Sequence, residues 1–500
     1  MGIIIRQSLK ASFVSYIGVF LGLINNVFVS TKFLSPEQIG LLRVLLENSL
    51  TFATFAHLGT PFILDKFFLH FRDEKEKNQG FLGFLLVIAF SGILIFSVLY
   101  ILAREKIANY FVEKSPEILD YHFLSIPLTA LWVFLVVLEA YSRNNARIAI
   151  PTFIRDTLIK LLNIFLVLVY ALGWINFDWV VYGLVCIYIF ALGLLLWYIK
   201  TLGKLFLQIN WQIFKSNLFR VMLVYGLVIV LGGLGENIFN FVDRTMLAAK
   251  EGLKETGIFT LAGFIVATII IPKKTLSQIA IPFLIQALAE NQQKKLDEIY
   301  KKVALHQFLG GLWVFLGIWI CIDELFLIIP KGQIYAEGKW VVFYLGVASL
   351  FNLASGLKGE VILYSKSYYF AAVFVFLFSL LNIALNNWFI DTYQINGAAY
   401  ATAIATILYA FSQAIFVYYK YKVFPYQWKQ FFVLIWAAVL YLLIANIFPR
   451  PANMGQALIF VVIKSSFITI LYFSFLLYFR ISDDLSNIFD NLLRKYFYKK

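Results

Sequence analysis

Long apolar runs recur along the whole chain with only short polar breaks between them, and this pattern decides what it can fold into. A run of about 20 apolar residues is what a helix needs to cross a hydrocarbon layer roughly 30 Å thick. Runs of that length begin at residues 11–30 and follow at 40–64, 80–103, 121–142, 152–172, 179–199, 219–248, 257–285, 303–329, 340–363, 368–390, 396–419, 430–448 and 455–479. The chain therefore reads as an all-α polytopic membrane protein with about 14 transmembrane helices. The first run is too long for a signal-peptide core, contains Asn25 and Asn26, and ends without a small-residue cleavage site, so it reads as a span preceded by Arg6 and Lys10.

Charge sets the orientation. The formal net charge of +14 comes from Lys and Arg in short loops, which is an orientation signal and not a nucleic-acid surface. With an even number of spans both termini share one side, and the loops on that side hold 26 Lys and Arg against nine opposite. The positive-inside rule puts both termini in the cytoplasm. Cys186 and Cys321 lie inside apolar runs without metal-ligand spacing and read as small hydrophobes. No nucleophile–base pair, metal set or phosphate loop stands out, so neither an enzyme nor a cofactor or metal site is expected. The loops are also too short for an external catalytic domain.

The most informative stretch is Tyr225 to Leu288, where two apolar runs carry Glu236, Asp243, Arg244, Lys273 and Lys274. Ionisable groups at membrane depth are costly and face a partner or a wet cavity rather than lipid. Helical spacing sorts them onto faces. Arg43, Glu47, Thr51 and Thr54 form one polar stripe on the second span, with Asn48 and His57 close by. Gly233, Asn237, Asn240 and Arg244 form another on the seventh, with Glu236 and Asp243 beside it. On the eighth, Pro272 removes a backbone donor and bends the helix where Lys273 and Lys274 occur. The fifth adds Arg155, Asp156 and Lys160, and the first presents Ser15, Gly18, Gly22, Asn25 and Asn26 on one face. Two readings stand for the charged residues: cavity lining, or salt bridges such as Arg43 with Glu47 and Asp156 with Lys160. Lys464 is expected to snorkel to an interface.

A weak internal repeat divides the chain. Gly40, opening the second span after a polar turn, is echoed by Gly257, opening the eighth, at an offset of 217. Leu161-Leu162-Asn163-Ile164 recurs as Leu380-Leu381-Asn382-Ile383 at an offset of 219. Two pseudo-symmetric six-helix lobes around a central cavity follow, since parallel repeats enclose a site between them. The expected organisation is an N-lobe over 1–199, an amphipathic cytoplasmic helix connecting the halves over 200–218 and a C-lobe over 219–419. Two further spans over 420–479 and a cytoplasmic amphipathic tail over 480–500 complete it. The cavity suits an anionic headgroup attached to sugars: Lys and Arg neutralise phosphate, amides and hydroxyls bond sugar hydroxyls, and aromatic faces stack on sugar rings.

Three motifs in order resemble a known pattern: Phe33-Leu34-Ser35-Pro36-Glu37-Gln38-Ile39-Gly40, then Asp243-Arg244-Thr245-Met246-Leu247 followed by Thr256-Gly257-Ile258-Phe259, then Asn396-Gly397-Ala398-Ala399-Tyr400-Ala401-Thr402. The chain resembles the polysaccharide-transporter branch of the multidrug, oligosaccharidyl-lipid and polysaccharide exporter superfamily, which includes the O-antigen and other lipid-linked oligosaccharide flippases. The resemblance implies a flippase of the bacterial cytoplasmic (inner) membrane. It would move an undecaprenyl-pyrophosphate-linked oligosaccharide from the cytoplasmic to the outer leaflet, with membrane lipids, a polysaccharide polymerase and glycosyltransferases as partners and no nucleic acid. Among family basic residues that hold the pyrophosphate, Arg43, Lys273 and Lys274 are the positions here that match. His57, Lys160, Arg244, Asn25, Asn26, Asn237 and Asn240 complete the expected substrate contacts, and Glu47, Glu236 and Asp243 are the candidates for coupling. A multidrug or cation antiporter of the same superfamily is the alternative transporter reading, and a channel or scaffold is the alternative from another class.

Overall fold

The structure is a computed structural model that describes residues 14–490 apart from 16, 74, 75, 446, 450 and 488. Arg6, Lys10 and the tail beyond 490 lie outside the described residues. The helices of ten or more residues are α1 (Pro36–Ala56), α2 (Thr60–Phe71), α3 (Phe81–Leu102), α4 (Ser125–Asn144), α5 (Ile159–Ala171), α6 (Phe177–Thr201) and α7 (Asn217–Lys250). They continue with α8 (Leu253–Ala267), α9 (Ile271–Ala289), α10 (Gln293–Ile320), α11 (Lys339–Ala354), α12 (Tyr369–Tyr421), α13 (Trp428–Ala445) and α14 (Met454–Tyr478). Among the described residues nine helical segments are long and apolar enough to cross a membrane, with mean hydropathies from 1.3 to 2.8. The fold is thus the expected all-helical membrane architecture.

Several spans are interrupted where the sequence supplies a reason. α12 reverses direction at Gln394, whose φ of 53° and ψ of −131° leave the helical region. A Cβ on Gly397 would sit 2.0 Å from the Phe389 carbonyl oxygen, so only glycine allows the chain to fold back that tightly. The fifth span contains a π-helix over Phe153–Leu158, and the first contains another over Ile24–Val29. The tenth breaks between α11 and a short helix over Lys358–Leu363. Pro272 lies in the first turn of α9, after a 3-10 turn over Thr268–Ile270, where its missing N–H costs no helical hydrogen bond.

The chain forms two compact units, one comprising Met1–Thr260 with Val375–Ala398, the other Leu261–Phe374 with Ala399–Lys500. In the first, α1 and α4 pack along each other and α7 packs on α1. Phe68, Phe81, Phe84, Ala140 and Tyr141, all nearly or fully buried, sit in its core. In the second, α10 packs against α9, α11, α13 and α14. Its close contacts rely on small residues: a Cβ on Gly311 would meet a Leu353 methyl at 2.2 Å, and one on Gly346 would meet the Phe315 ring at 2.5 Å. In hydrocarbon such contacts replace the hydrophobic drive that water supplies elsewhere.

One expected element is different. Residues 204–210 are not helical, and only a 3-10 turn over Trp211–Lys215 precedes α7. Gly203, at φ +66°, ends α6, and the backbone then crosses α3 so closely that a Cβ on Gly83 would fall 2.2 Å from the Gln208 carbonyl oxygen. A helix about 10 Å across does not fit that approach. The apolar residues of the segment still do what amphipathicity implied, since Leu205, Ile213 and Phe214 pack on the core of the first unit.

Gly40 and Gly257 meet. Within the first unit a Cβ on Gly40 would lie 2.3 Å from the Leu253 carbonyl oxygen, and one on Gly257 would lie 2.0 Å from the Pro36 carbonyl oxygen. Each glycine therefore backs onto the first turn of the other's helix, and Ser35 with Gln38 forms a capping box on the α1 side. Replacing Gly40 or Gly257 with Ala should each cost about 1–3 kcal/mol by forcing these backbones apart. Thermal unfolding of the purified protein should show the loss for both. Gly193→Ala, where a Cβ meets nothing within 4 Å, should leave the transition in place.

Candidate functional site

The two polar stripes read from the sequence face each other in the first unit. α1 carries Arg43, Glu47, Asn48 and Thr54, and α7 carries Asn237, Asp243, Arg244 and Thr245. Glu47 is almost fully buried and takes Arg43 Nε at 2.7 Å on one oxygen and Arg244 Nη1 at 3.3 Å on the other. Asp243, also buried, accepts the Arg244 backbone N–H at 2.8 Å and lies 3.9 Å from its guanidinium. On either side of this cluster Thr245 donates to Asn48 Oδ1 at 2.7 Å and Asn237 donates to Thr54 Oγ1 at 2.6 Å. The arginines need Glu47 here, because a buried charge without its partner costs several kcal/mol. Arg244 also hydrogen-bonds the Asn240 carbonyl and sits over the Phe259 ring.

The first and fifth spans form a second cluster of the same unit. Asp156 accepts from Ser15 at 2.7 Å and from Arg155 at 2.9 Å, and Arg155 pairs with Glu139 at 2.6 Å. Lys160 donates to the Gly18 carbonyl at 2.9 Å and lies within electrostatic reach of Asp156. Gly18 lies so close to the Asp156 backbone that a Cβ would meet its carbonyl oxygen at 2.2 Å. Asn25 and Asn26 lie in the π-helix of the first span; Asn26 bonds back to the Gly22 carbonyl, and Asn25 Oδ1 is buried without a hydrogen-bond partner. His57 stands at the far end of α1, 14 residues or about 21 Å of helix from Arg43. There Nδ1 accepts the Gly59 N–H at 2.9 Å, a local turn contact. Glu236 and Asn240 are exposed.

Three further cations of interest lie in the second unit. Lys273 is half-buried and Lys274 exposed on α9. Lys358 is almost fully buried at the break before the Lys358–Leu363 helix, and its ammonium donates to Asn352 Oδ1 at 2.5 Å and to the Asn352 carbonyl at 3.2 Å. Lys273 lies within electrostatic reach of it, as does Glu360. Among the described residues no carboxylate forms an ion pair with Lys273, Lys274 or Lys358. Next to this group, Ser277, one turn on from Lys273, accepts from Gln307, whose own Oε1 is buried and unpartnered. Lys358 was not singled out by the sequence reading; a lone lysine within the apolar run 340–363 was the available signal.

Lys464 corrects the sequence reading. It does not snorkel: its ammonium is buried 2.5 Å from Glu324, with the Phe448 ring 5.6 Å away. The partner lies 140 residues distant in sequence, out of reach of any helical-spacing argument.

No family model and no curated protein matches the chain. Solved structures do match. The lipid II flippase MurJ in an inward closed conformation superposes with a TM-score of 0.75 at 15% identity, over 96% of this chain and 100% of that one. A multidrug resistance MATE family transporter of the MOP superfamily, in an inward-facing conformation, follows at a TM-score of 0.62 and 15% identity over 83% and 98%. The chain has the fold of these MOP-superfamily transporters. A further MOP superfamily transporter, from Pyrococcus furiosus, is similar at a TM-score of 0.54 and 15% identity over 84% of this chain and 95% of that one.

Within this transporter fold, Glu47 joins α1 to α7. Glu47→Gln should lower stability by about 1.5–3 kcal/mol because two half-buried guanidiniums lose the charge of their shared buried acceptor. The triple change Arg43→Met, Glu47→Leu, Arg244→Met should be far less destabilising than the single one. Thermal unfolding of the purified variants checks both outcomes.

Proposed function

We propose that the chain flips an anionic lipid-linked oligosaccharide, of the undecaprenyl-pyrophosphate class, across the bacterial cytoplasmic membrane by alternating access. It supplies cell-surface polysaccharide biosynthesis and performs no chemistry. The observation that carries this reading is the buried Lys358 with Lys273 within electrostatic reach of it, neither ion-paired with a carboxylate among the described residues, and the exposed Lys274 next to Lys273 in sequence. Such a group is stabilised by an incoming anion, and lysine meets phosphate as a point charge. Ser277 and the unpartnered Gln307 Oε1 add neutral polar groups suited to hydroxyls. The MurJ neighbour, a lipid II flippase, supports a lipid-linked substrate.

In this reading the headgroup enters from the cytoplasmic side while the polyprenyl tail stays in lipid, and the two six-span repeats over 1–199 and 219–419 are the moving bodies. The loop charge bias puts both termini in the cytoplasm. Arg43 and Arg244, already bound to Glu47, contribute by their pairing and Asn25, Asn237 and Asn240 by amide contacts. Of the coupling candidates, Glu47 and Asp243 are held by arginine, whereas Glu236 is exposed.

The exposed Glu236 is the feature that favours the alternative reading, a multidrug or cation antiporter, and one structural neighbour is a multidrug resistance MATE family transporter. One pair of measurements separates the readings. Lys273→Ala with Lys274→Ala should abolish translocation of the lipid-linked oligosaccharide in proteoliposomes at normal protein levels, and Lys358→Met should reduce it at least about tenfold, the loss of one charge-assisted hydrogen bond. Overexpression should leave drug susceptibility unchanged. Full transport by the lysine variants, or drug resistance that depends on Glu236, would replace the flippase reading.

A further inference from the structure

Asn352 and Lys358 lie where α11 ends, and a helix leaves its last four carbonyls without partners of its own. Here all four are answered. Phe351 takes the Ser355 hydroxyl at 2.8 Å, Leu353 the Gly356 N–H at 3.0 Å and Ala354 the Gln430 amide at 3.3 Å. The Asn352 carbonyl takes the Lys358 ammonium at 3.2 Å, and the Asn352 side-chain oxygen takes it at 2.5 Å. The charge therefore sits against the negative end of a helix and an amide, groups that solvate it without cancelling it. Lys358 is only 2% exposed. Of the charged groups within electrostatic reach, Lys273 on α9 adds to its field and Glu360 offsets part of it without an ion pair among the described residues.

Arg43, Arg244 and Lys464 are held otherwise, each by a buried carboxylate, Glu47 or Glu324. Asparagine and aspartate have nearly the same size and shape. Asn352→Asp would therefore keep the contacts to Lys358 and turn the cradle into an ion pair. One side chain sets whether this end of α11 presents a positive charge or none.

We propose that Asn352 is a specificity-determining residue of the lysine group on which the flippase reading rests: by holding Lys358 with a neutral amide it leaves the ammonium's charge uncancelled, and that charge selects a polyanionic, phosphorylated headgroup. Lys358 acts through space, because it is buried; contact with the headgroup falls to Lys273, half-buried, and Lys274, exposed. At an effective dielectric of about 20, one unit charge about 10 Å from another still changes an affinity on the order of tenfold. The effect grows with the charge of the ligand, so a diphosphate gains more from it than a monophosphate, and an alcohol gains nothing.

The test measures binding of geranylgeranyl pyrophosphate, geranylgeranyl monophosphate and geranylgeraniol to the full-length protein in detergent, together with its thermal unfolding. Asn352→Asp should weaken the pyrophosphate at least about tenfold, the monophosphate less and the alcohol not at all, while unfolding no earlier than the wild type. Asn352→Ser, which is neutral but gives up the amide, should show the reverse: earlier unfolding, with the pyrophosphate weakened less than about threefold. A purely structural asparagine would make affinity follow stability in both variants, whatever the charge of the ligand. Should Asn352→Asp not fold, Asn352→Ser decides: loss of the pyrophosphate with retention of the alcohol overturns the proposal. Pyrophosphate binding unchanged in a folded Asn352→Asp protein overturns it as well and leaves the flippase reading standing. A wild type that prefers neither phosphate to the alcohol overturns both.

Discussion

The energy of a charge in hydrocarbon organises this molecule. A single Arg, Lys or Asp at the centre of a spanning helix costs about 2.5–3.5 kcal/mol even by insertion measurements, so a chain that keeps several must answer each one. Glu47 answers two arginines at once and thereby ties α1 to α7. Glu324 answers Lys464. Lys160 is met by the Gly18 carbonyl, a neutral oxygen made reachable by a glycine-lined crossing of the first and fifth spans. Ion pairs and polar contacts of this kind add specificity more than strength: they say which helix lies beside which, in a solvent where apolar faces are indifferent to one another.

The cations within the spans differ in how completely they are neutralised. Arg43, Arg244 and Lys464 meet carboxylates that are themselves buried. Lys358 is met by an amide and a carbonyl of Asn352, dipoles without net charge. A site satisfied by dipoles retains its positive potential, whereas one satisfied by a carboxylate largely loses it. That difference, rather than the number of basic residues, is what separates a framework cluster from a group able to attract an anion.

Much of this was legible from residues alone, and the limits have a physical origin. Spans, their polar stripes, the break at Pro272 and the reversal between residues 390 and 396 follow from composition and from helical periodicity, both local properties. The two stripes were read as cavity walls, and that those of α1 and α7 meet each other directly was not legible. Partners distant in sequence were invisible: nothing near Lys464 points to Glu324, and nothing near Lys160 points to the Gly18 carbonyl. The connector failed for a related reason. Its apolar spacing was helical, but the decisive fact is a backbone approach over Gly83 that only the packed structure defines. His57 looked like a continuation of a stripe because periodicity does not register that a helix ends there.

The meeting of Gly40 and Gly257 carries a last implication. The joint is peptide against peptide, with no side chain interposed, so it has no rotamers to sort when it forms and no long groups to disentangle when it parts. A contact of bare backbones is tight because no interposed side chain sets its spacing. It also couples the two positions: a side chain at either glycine would have to displace the backbone of the other helix start, so neither residue can change alone without moving the joint.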